Sequence, residues 1–238
     1  MDLGDVSGAA IGYVVYRDVL QASAKEFGAA AKERVATWAD RWVRPKASRI
    51  PVEQAQLPSD RVLLTTISQV IVTPEDELQE AFAELFTKAM DKREASSIHP
   101  SFVNAVADLS SEEARILKRM WIERMTFDPS EGWTTHVESA DHKFGGFCAE
   151  VVGEDLTHDF MLRRGYVWLA NFRRLGLIQE VTGVESMPPP TAFPDTGLPT
   201  RLRHHLQFSV YGDAFMRACA SPEVLAAREA NLAWKRGR

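Results

Sequence analysis

Residues 73–125 constrain the fold most strongly, because they predict two amphipathic helices joined by a linker that contains His99 and Pro100. Thr73 is a good N-cap, Pro74 suits the first helical position, and the acidic residues that follow complement the positive end of the helix dipole. Apolar residues then recur every three or four positions, which predicts one buried helix face. They are Leu78, Phe82, Leu85, Phe86, Ala89 and Met90.

The second half of this block carries its own start signals. Pro100 predicts a short helix through Ala107, and we expect His99 to cap it. Ser110, followed three residues later by Glu113, forms a capping box for the next helix. The apolar side of that helix is predicted to comprise Ala114, Leu117, Trp121 and Met125.

Residues 1–107 are predicted to form an N-terminal helical bundle. The mixture of Ala, Lys, Glu and Arg from Val19 to Val43 predicts a long helix, which Pro45 and Pro51 are expected to break. Residues 60–72 are rich in β-branched side chains, yet the spacing of their apolar positions favours a buried helix.

Residues 108–220 show a different order of elements. Residues 127–159 lack sustained periodicity and predict an irregular insertion. The order helix, strand, loop, strand, helix after it is that of a winged helix whose first helix is 110–125. The elements are helical 156–175, strand 175–181, a Pro/Gly-rich loop 183–200, strand 206–210 and helix 211–220. The predicted fold is therefore mainly α, with a winged-helix-like module carrying a small β-hairpin, and a tail helix over 221–238.

The charge distribution makes nucleic acid an alternative partner. Residues from 151 onward carry 11 Lys and Arg against 9 Asp and Glu, a net charge of +2, within a chain of net charge −5. A nucleic-acid-binding domain usually concentrates far more basic residues, so a solvated or interface face is the competing interpretation. The arginines that are candidates to contact phosphates are Arg163, Arg164, Arg173, Arg174, Arg201 and Arg203.

Gly4, Gly8 and Gly12 lie at helical spacing near the N-terminus. A glycine stripe lets another helix approach closely, so it predicts either a packing groove within the fold or a surface for self-association. The longest apolar stretches, 62–72 and 9–15, are far shorter than the roughly 20 residues of a membrane-spanning helix. With no signal-peptide pattern at the N-terminus, we expect a cytoplasmic protein.

The sequence offers no catalytic motif. None of the metalloprotease, P-loop, dinucleotide-binding or nucleophile-elbow patterns occurs, so we assign no catalytic residue, metal or cofactor. Cys148 and Cys219 predict buried, reduced thiols. A cluster of His136, Asp141 and His142 leaves a metal-dependent enzyme as the weakest alternative.

Four segments together form a recognisable pattern: EDELQEAFAELFTKAMD over 75–91, IHPSFVNAVADLSSEEARIL over 98–117, LGLI over 175–178 and FSVYGDAFMRAC over 208–219. This pattern resembles a known family, the abortive infection alpha (Abi-alpha) proteins of bacteria. Phe82 stands near a position where the family usually has Trp, and 127–159 matches no family segment.

This resemblance implies a role in defence against phage, in which a resident protein senses infection and stops growth of the host cell. It supplies no catalytic residues. The leading hypothesis is therefore a non-enzymatic defence protein that acts through protein contacts or as a homo-oligomer. A winged-helix nucleic-acid-binding regulator is the main alternative.

Overall fold

The structure is a computed structural model that describes residues 28–123, 148, 150–152, 158–186 and 200–236. Two strands, β1 (Ile178–Ser186) and β2 (Thr200–Phe208), pair antiparallel. The fold is mainly helical with a small two-stranded sheet, as predicted. The α-helices whose bounds the structure describes are α1 (Ala29–Trp38), α2 (Arg44–Ala47), α3 (Asp60–Val72), α4 (Asp76–Met90), α5 (Pro100–Ala107), α6 (Ser111–Glu123), α7 (His158–Arg174), α8 (Val210–Cys219) and α9 (Pro222–Arg236).

The chain forms two compact units. Unit 1 combines the described residues up to Lys118 with those from Ala214 onward, and unit 2 spans Arg119–Asp213. The predicted domain boundaries at 107/108 and 220/221 stay predictions. The predicted insertion over 127–159 lies mostly outside the described residues.

Pro45 does not break the first helical segment, contrary to the prediction. A π-helical turn over Ala39–Val43 follows α1, and the N–H of Arg44 donates to the carbonyl of Ala39, five residues earlier. This turn places Pro45 in the first turn of α2, where its missing N–H and fixed φ are tolerated. The helical segment therefore runs through Pro45 to Ala47.

The start of α4 is also displaced from the prediction. Thr73 ends α3, since its N–H donates to the carbonyl of Gln69 at 2.9 Å. The side-chain amide of Gln79 donates to the Thr73 carbonyl at 2.7 Å. These bonds hold Thr73 at the end of α3, so α4 begins at Asp76 with Glu75 as an N-cap that makes no side-chain bond.

Two other helix starts are confirmed. The Nδ1 atom of His99 accepts from the N–H of Ser101 at 3.2 Å, which caps α5. At α6, the Glu113 N–H donates to Ser110 Oγ at 3.2 Å and the Ser110 N–H donates to Glu113 Oε2 at 2.8 Å. Both hydrogen bonds of the predicted capping box are present. They satisfy two N–H groups at the start of α6 that have no acceptor within the helix.

Aromatic and aliphatic side chains fill the core of unit 1. The six predicted face residues of α4 are all buried. Trp38 of α1 packs edge-to-face on Phe86, with ring centroids 5.7 Å apart, and its Nε1–H donates to the Gln79 carbonyl at 3.0 Å. Phe102 of α5 packs in the same way on Phe215 of α8, at 5.8 Å. Each aromatic pair joins helices that are distant in sequence.

Unit 2 holds the hairpin. Residues 178 and 186 of β1 pair with 208 and 200 of β2, so both strands are longer than the predicted 175–181 and 206–210. Trp121, Trp168, Phe172, Leu177 and Leu206 are buried here. The order α7, β1, β2, α8 matches the predicted order of elements, while the winged-helix assignment itself stays a prediction.

A glycine connects α7 to β1. Gly176 has φ +71, and its N–H donates to the carbonyl of Arg173, while the Leu177 N–H donates to the carbonyl of Phe172. This pair of bonds is the Schellman motif, which requires a left-handed residue after the helix. The accompanying apolar residues, Phe172 and Leu177, are both fully buried.

Candidate functional site

An exposed apolar stripe lies on the outer face of α3 in unit 1. Successive helical residues turn by about 100°, so residues 61, 64, 65, 68 and 72 share one face. On that face Leu64 is 50% exposed and Val72 is 68% exposed. The opposite face, with Val62, Ile67 and Val70, is buried in the bundle.

The prediction of a buried helix over residues 60–72 did not include this exposed stripe, which we call the α3 stripe (Leu64 and Val72). The sequence nevertheless contains a signal for this exposed stripe. A helix that covers one core needs an apolar face little wider than about 100°, whereas α3 carries apolar residues around most of its circumference. The apolar residues in excess of the core face are the ones left in solvent.

The described part of the predicted arginine set lies around α7 and the hairpin. The Cζ atom of Arg164 lies 5.2 Å from the ring centroid of Trp168. Arg173 Nη2 lies 3.3 Å from Glu180 Oε2, and Arg174 donates to Asn171 Oδ1 through Nε at 3.0 Å. These guanidinium groups thus have partners within unit 2, and a phosphate would have to compete with them.

The other three arginines of the predicted set lie in α7 and β2. Arg163 is in α7, while Arg201 and Arg203 of β2 pair with Glu185 and Gly183 of β1. The structure brings α7 and the hairpin into one unit, but binding by these arginines stays a prediction. Gly4, Gly8 and Gly12 lie outside the described residues, as do His136, Asp141 and His142.

A network of charges crosses unit 1 along α4. Glu84, which is buried, pairs with Lys46 of α2, and Lys46 Nζ also lies 3.7 Å from Glu80 Oε1. Burial raises the pKa of Glu84, although the hydrogen bond to Lys46 opposes this. Because removal of a carboxylate from water is costly, the Lys46 pair mainly compensates for burial.

Lys88 extends this network to the end of α8. Its Nζ donates to the carbonyls of Arg217 at 2.6 Å and Ala220 at 2.8 Å. A cation at these carbonyls satisfies acceptors that the helix leaves open at its negative end. Burial lowers the pKa of Lys88, while the charge of Glu84 opposes that shift. The network therefore fastens α2 and α8 to α4.

The two cysteines are free thiols in different units. Cys148 is buried, as predicted, and burial raises its pKa to about 12. Cys219 is only half-buried, and burial of its thiol again raises the pKa. Neither environment favours a reactive thiolate.

Two kinds of feature are absent from the described residues. No group of three or more His, Cys, Asp and Glu side chains there is placed to hold a metal ion. Across the same residues, no helix combines the length and the apolar character needed to cross a membrane.

Comparison with known proteins gives a match to a family model. Neither curated proteins nor solved structures match the chain. The model described as abortive infection alpha matches residues 30–219, a span that runs from the second residue of α1 to the end of α8 and includes both strands. Since this match covers most of the 238 residues, the chain belongs to the abortive infection alpha family.

Proposed function

We propose that this protein acts in abortive infection without catalysing a reaction, by binding another protein through the α3 stripe. Family membership supplies the setting of phage defence. The observation that carries the proposal is the exposure of Leu64 and Val72 on one face of a helix whose opposite face is buried.

The stripe has the chemistry of a protein contact. Two aliphatic side chains eight residues apart lie about 12 Å apart along the helix axis. Apolar residues in the centre and polar residues at the rim are typical of such surfaces, and the exposed residue Arg61 lies at one end of the stripe. The partner we propose is a protein with an apolar patch bordered by an acidic group that faces Arg61.

A phage-infection assay tests this proposal. Cells that produce the wild-type chain are expected to release fewer phage than cells with an empty vector. We expect the double variant Leu64→Ser and Val72→Ser to lose that protection, because the partner loses its apolar contact. The matched control is Val210→Ser in unit 2, which changes a side chain that is 88% exposed and lies outside the stripe.

Both variants must retain the wild-type circular dichroism spectrum, which is expected because each changed side chain points to solvent. Full protection by the double variant would contradict a contact through the stripe. If Val210→Ser also lost protection, the loss seen in the double variant would not be specific to the α3 stripe.

Self-association through Gly4, Gly8 and Gly12 is a separate part of the proposal. A Gly8→Leu variant would block close helix approach and is expected to have a lower mass in light scattering than the wild type. An unchanged mass in a variant with an intact fold would contradict self-association through these glycines.

Nucleic-acid binding through unit 2 is the second candidate function. It is favoured by the basic residues that α7 and the hairpin strand β2 carry within the same unit. The variant Arg173→Ala with Arg174→Ala should weaken duplex DNA binding and flatten its salt dependence, since two phosphate contacts are lost. Absence of salt-sensitive binding by the wild type would end this alternative.

A further inference from the structure

Unit 1 contains a cavity between α4, α5, α6 and the segment from α8 into α9, with a volume of about 100 Å³. Its walls are mainly apolar, formed by Leu78, Val106, Leu109, Leu117, Phe215 and Val224. Every described residue that lines it belongs to unit 1. An apolar cavity of roughly this size holds one small ring or one branched aliphatic group.

One polar group in the wall is left unsatisfied. Arg115 of α6 lines the cavity, and its Nε atom is buried and has no hydrogen-bond partner among the described residues. A buried donor without an acceptor is unfavourable by more than an ordinary hydrogen bond contributes. An acceptor delivered by a ligand would remove that penalty.

The charges at the cavity favour an anion as that acceptor. Arg115 and Lys118 line it together with Glu77 and Glu80. Glu80 already lies 3.7 Å from Lys46, within a network of two lysines and two glutamates. The three remaining groups carry a net charge of +1, and a guanidinium binds a carboxylate with good geometry.

The geometry points to this cavity as a binding site for a compact branched or cyclic monocarboxylate, with its apolar body among the walls and its carboxylate on Arg115. The proposal goes beyond the proposed function, because the cavity shares no residue with the α3 stripe. A site of this size is expected to bind the monocarboxylate weakly, with a Kd in the millimolar range or somewhat lower, because few ligand atoms are buried.

Saturation-transfer NMR on the full chain tests the proposal with 3-methylbutyrate as the probe. Its neutral isostere, 3-methylbutanamide, is expected to bind at least about tenfold more weakly, because charge-assisted hydrogen bonds are roughly twice as strong as neutral ones. This comparison uses only the wild-type protein and does not depend on the folding of any variant.

Variants locate the site. Arg115→Met keeps the aliphatic stem and should weaken 3-methylbutyrate binding by about tenfold or more, while Ala81→Leu should abolish it by filling the cavity. The matched control is Arg61→Met on α3, where the same change is made at an exposed arginine that does not line the cavity.

Retained binding of 3-methylbutyrate by Arg61→Met, together with the two losses, would support the site. Three results would overturn it: no binding to the wild type, equal binding of the amide, or undiminished binding to a folded Arg115→Met protein.

Discussion

A Cβ atom placed on Gly212 would lie 1.9 Å from the carbonyl oxygen of Leu177. That oxygen already accepts a hydrogen bond from the Ser209 N–H at 3.0 Å, and Ser209 Oγ accepts from the Gly212 N–H at 2.8 Å. The segment that starts α8 is therefore pressed against the chain between α7 and β1. Both segments lie in unit 2, and only glycine fits at residue 212.

Gly212→Ala is expected to lower the free energy of unfolding by about 3 kcal/mol or more, because backbone rather than a movable side chain stands in the way. Gly176→Ala is the comparison. Its backbone is left-handed but its nearest neighbour would be 4.0 Å away, so about 1–2 kcal/mol is expected. Urea unfolding of both variants gives the two values, and a smaller loss for Gly212→Ala would contradict the close approach.

Glu84 should make stability depend on pH. Its pKa is raised above the ordinary 4.5 by burial, so the folded state binds a proton more tightly than the unfolded chain. The free energy of unfolding contributed by this group is therefore greatest below 4.5 and falls as pH rises through the raised pKa.

Glu84→Gln removes this titration. We expect the wild type to lose stability relative to Glu84→Gln as pH rises from about 4 to 7, in urea unfolding at each pH. A difference between the two proteins that stays constant, or that changes in the opposite direction, would show that Glu84 does not titrate as its burial indicates.

The contribution of the α6 cap to stability can be measured by comparing substitutions at Ser110 and at the adjacent Ser111. Ser110→Ala removes the acceptor of the Glu113 N–H and should reduce the free energy of unfolding by about 1 kcal/mol. Ser111→Ala is the matched control, because the buried Ser111 Oγ has no hydrogen-bond partner among the described residues. Thermal or urea unfolding should show little change for Ser111→Ala, and equal losses would refute the assignment of the cap.

The thiols should react slowly in the folded protein. Burial raises the pKa of Cys148 to about 12, which keeps the reactive thiolate rare near pH 8. With Ellman's reagent we expect slow release of thionitrobenzoate from native protein and rapid reaction of two thiols after denaturation. Rapid reaction of both thiols in the native state would contradict the burial of Cys148.

Features that depend on residues three or four apart were accessible from the sequence. The His99 cap, the Ser110–Glu113 box and the buried face of α4 are confirmed, because each needs only the helix that contains it. The Thr73 cap was wrong for the opposite reason. Gln79 of the next helix reaches back to the Thr73 carbonyl, a contact that local propensity does not encode.

The candidate sites were less accessible. The α3 stripe consists of ordinary aliphatic residues, and exposure distinguishes Leu64 from the buried Leu63 beside it. Arg115 was not singled out because a helical arginine is usually solvated. Its unsatisfied Nε is recognised only when α4, α5, α6 and the segment from α8 into α9 come together around the cavity.

Helix content, the caps at His99 and Ser110, and membership in the abortive infection alpha family follow from the amino-acid sequence alone, because they rest on local spacing and residue type. The length of the hairpin, the glycine requirement at residue 212 and the faces left to solvent depend on segments far apart in the chain. Strand pairing makes β1 and β2 longer than the segments predicted from their apolar residues. Packing determines which apolar side chains of α3 are buried. Such contacts are properties of the assembled chain, since their energy arises only when both partners are in place.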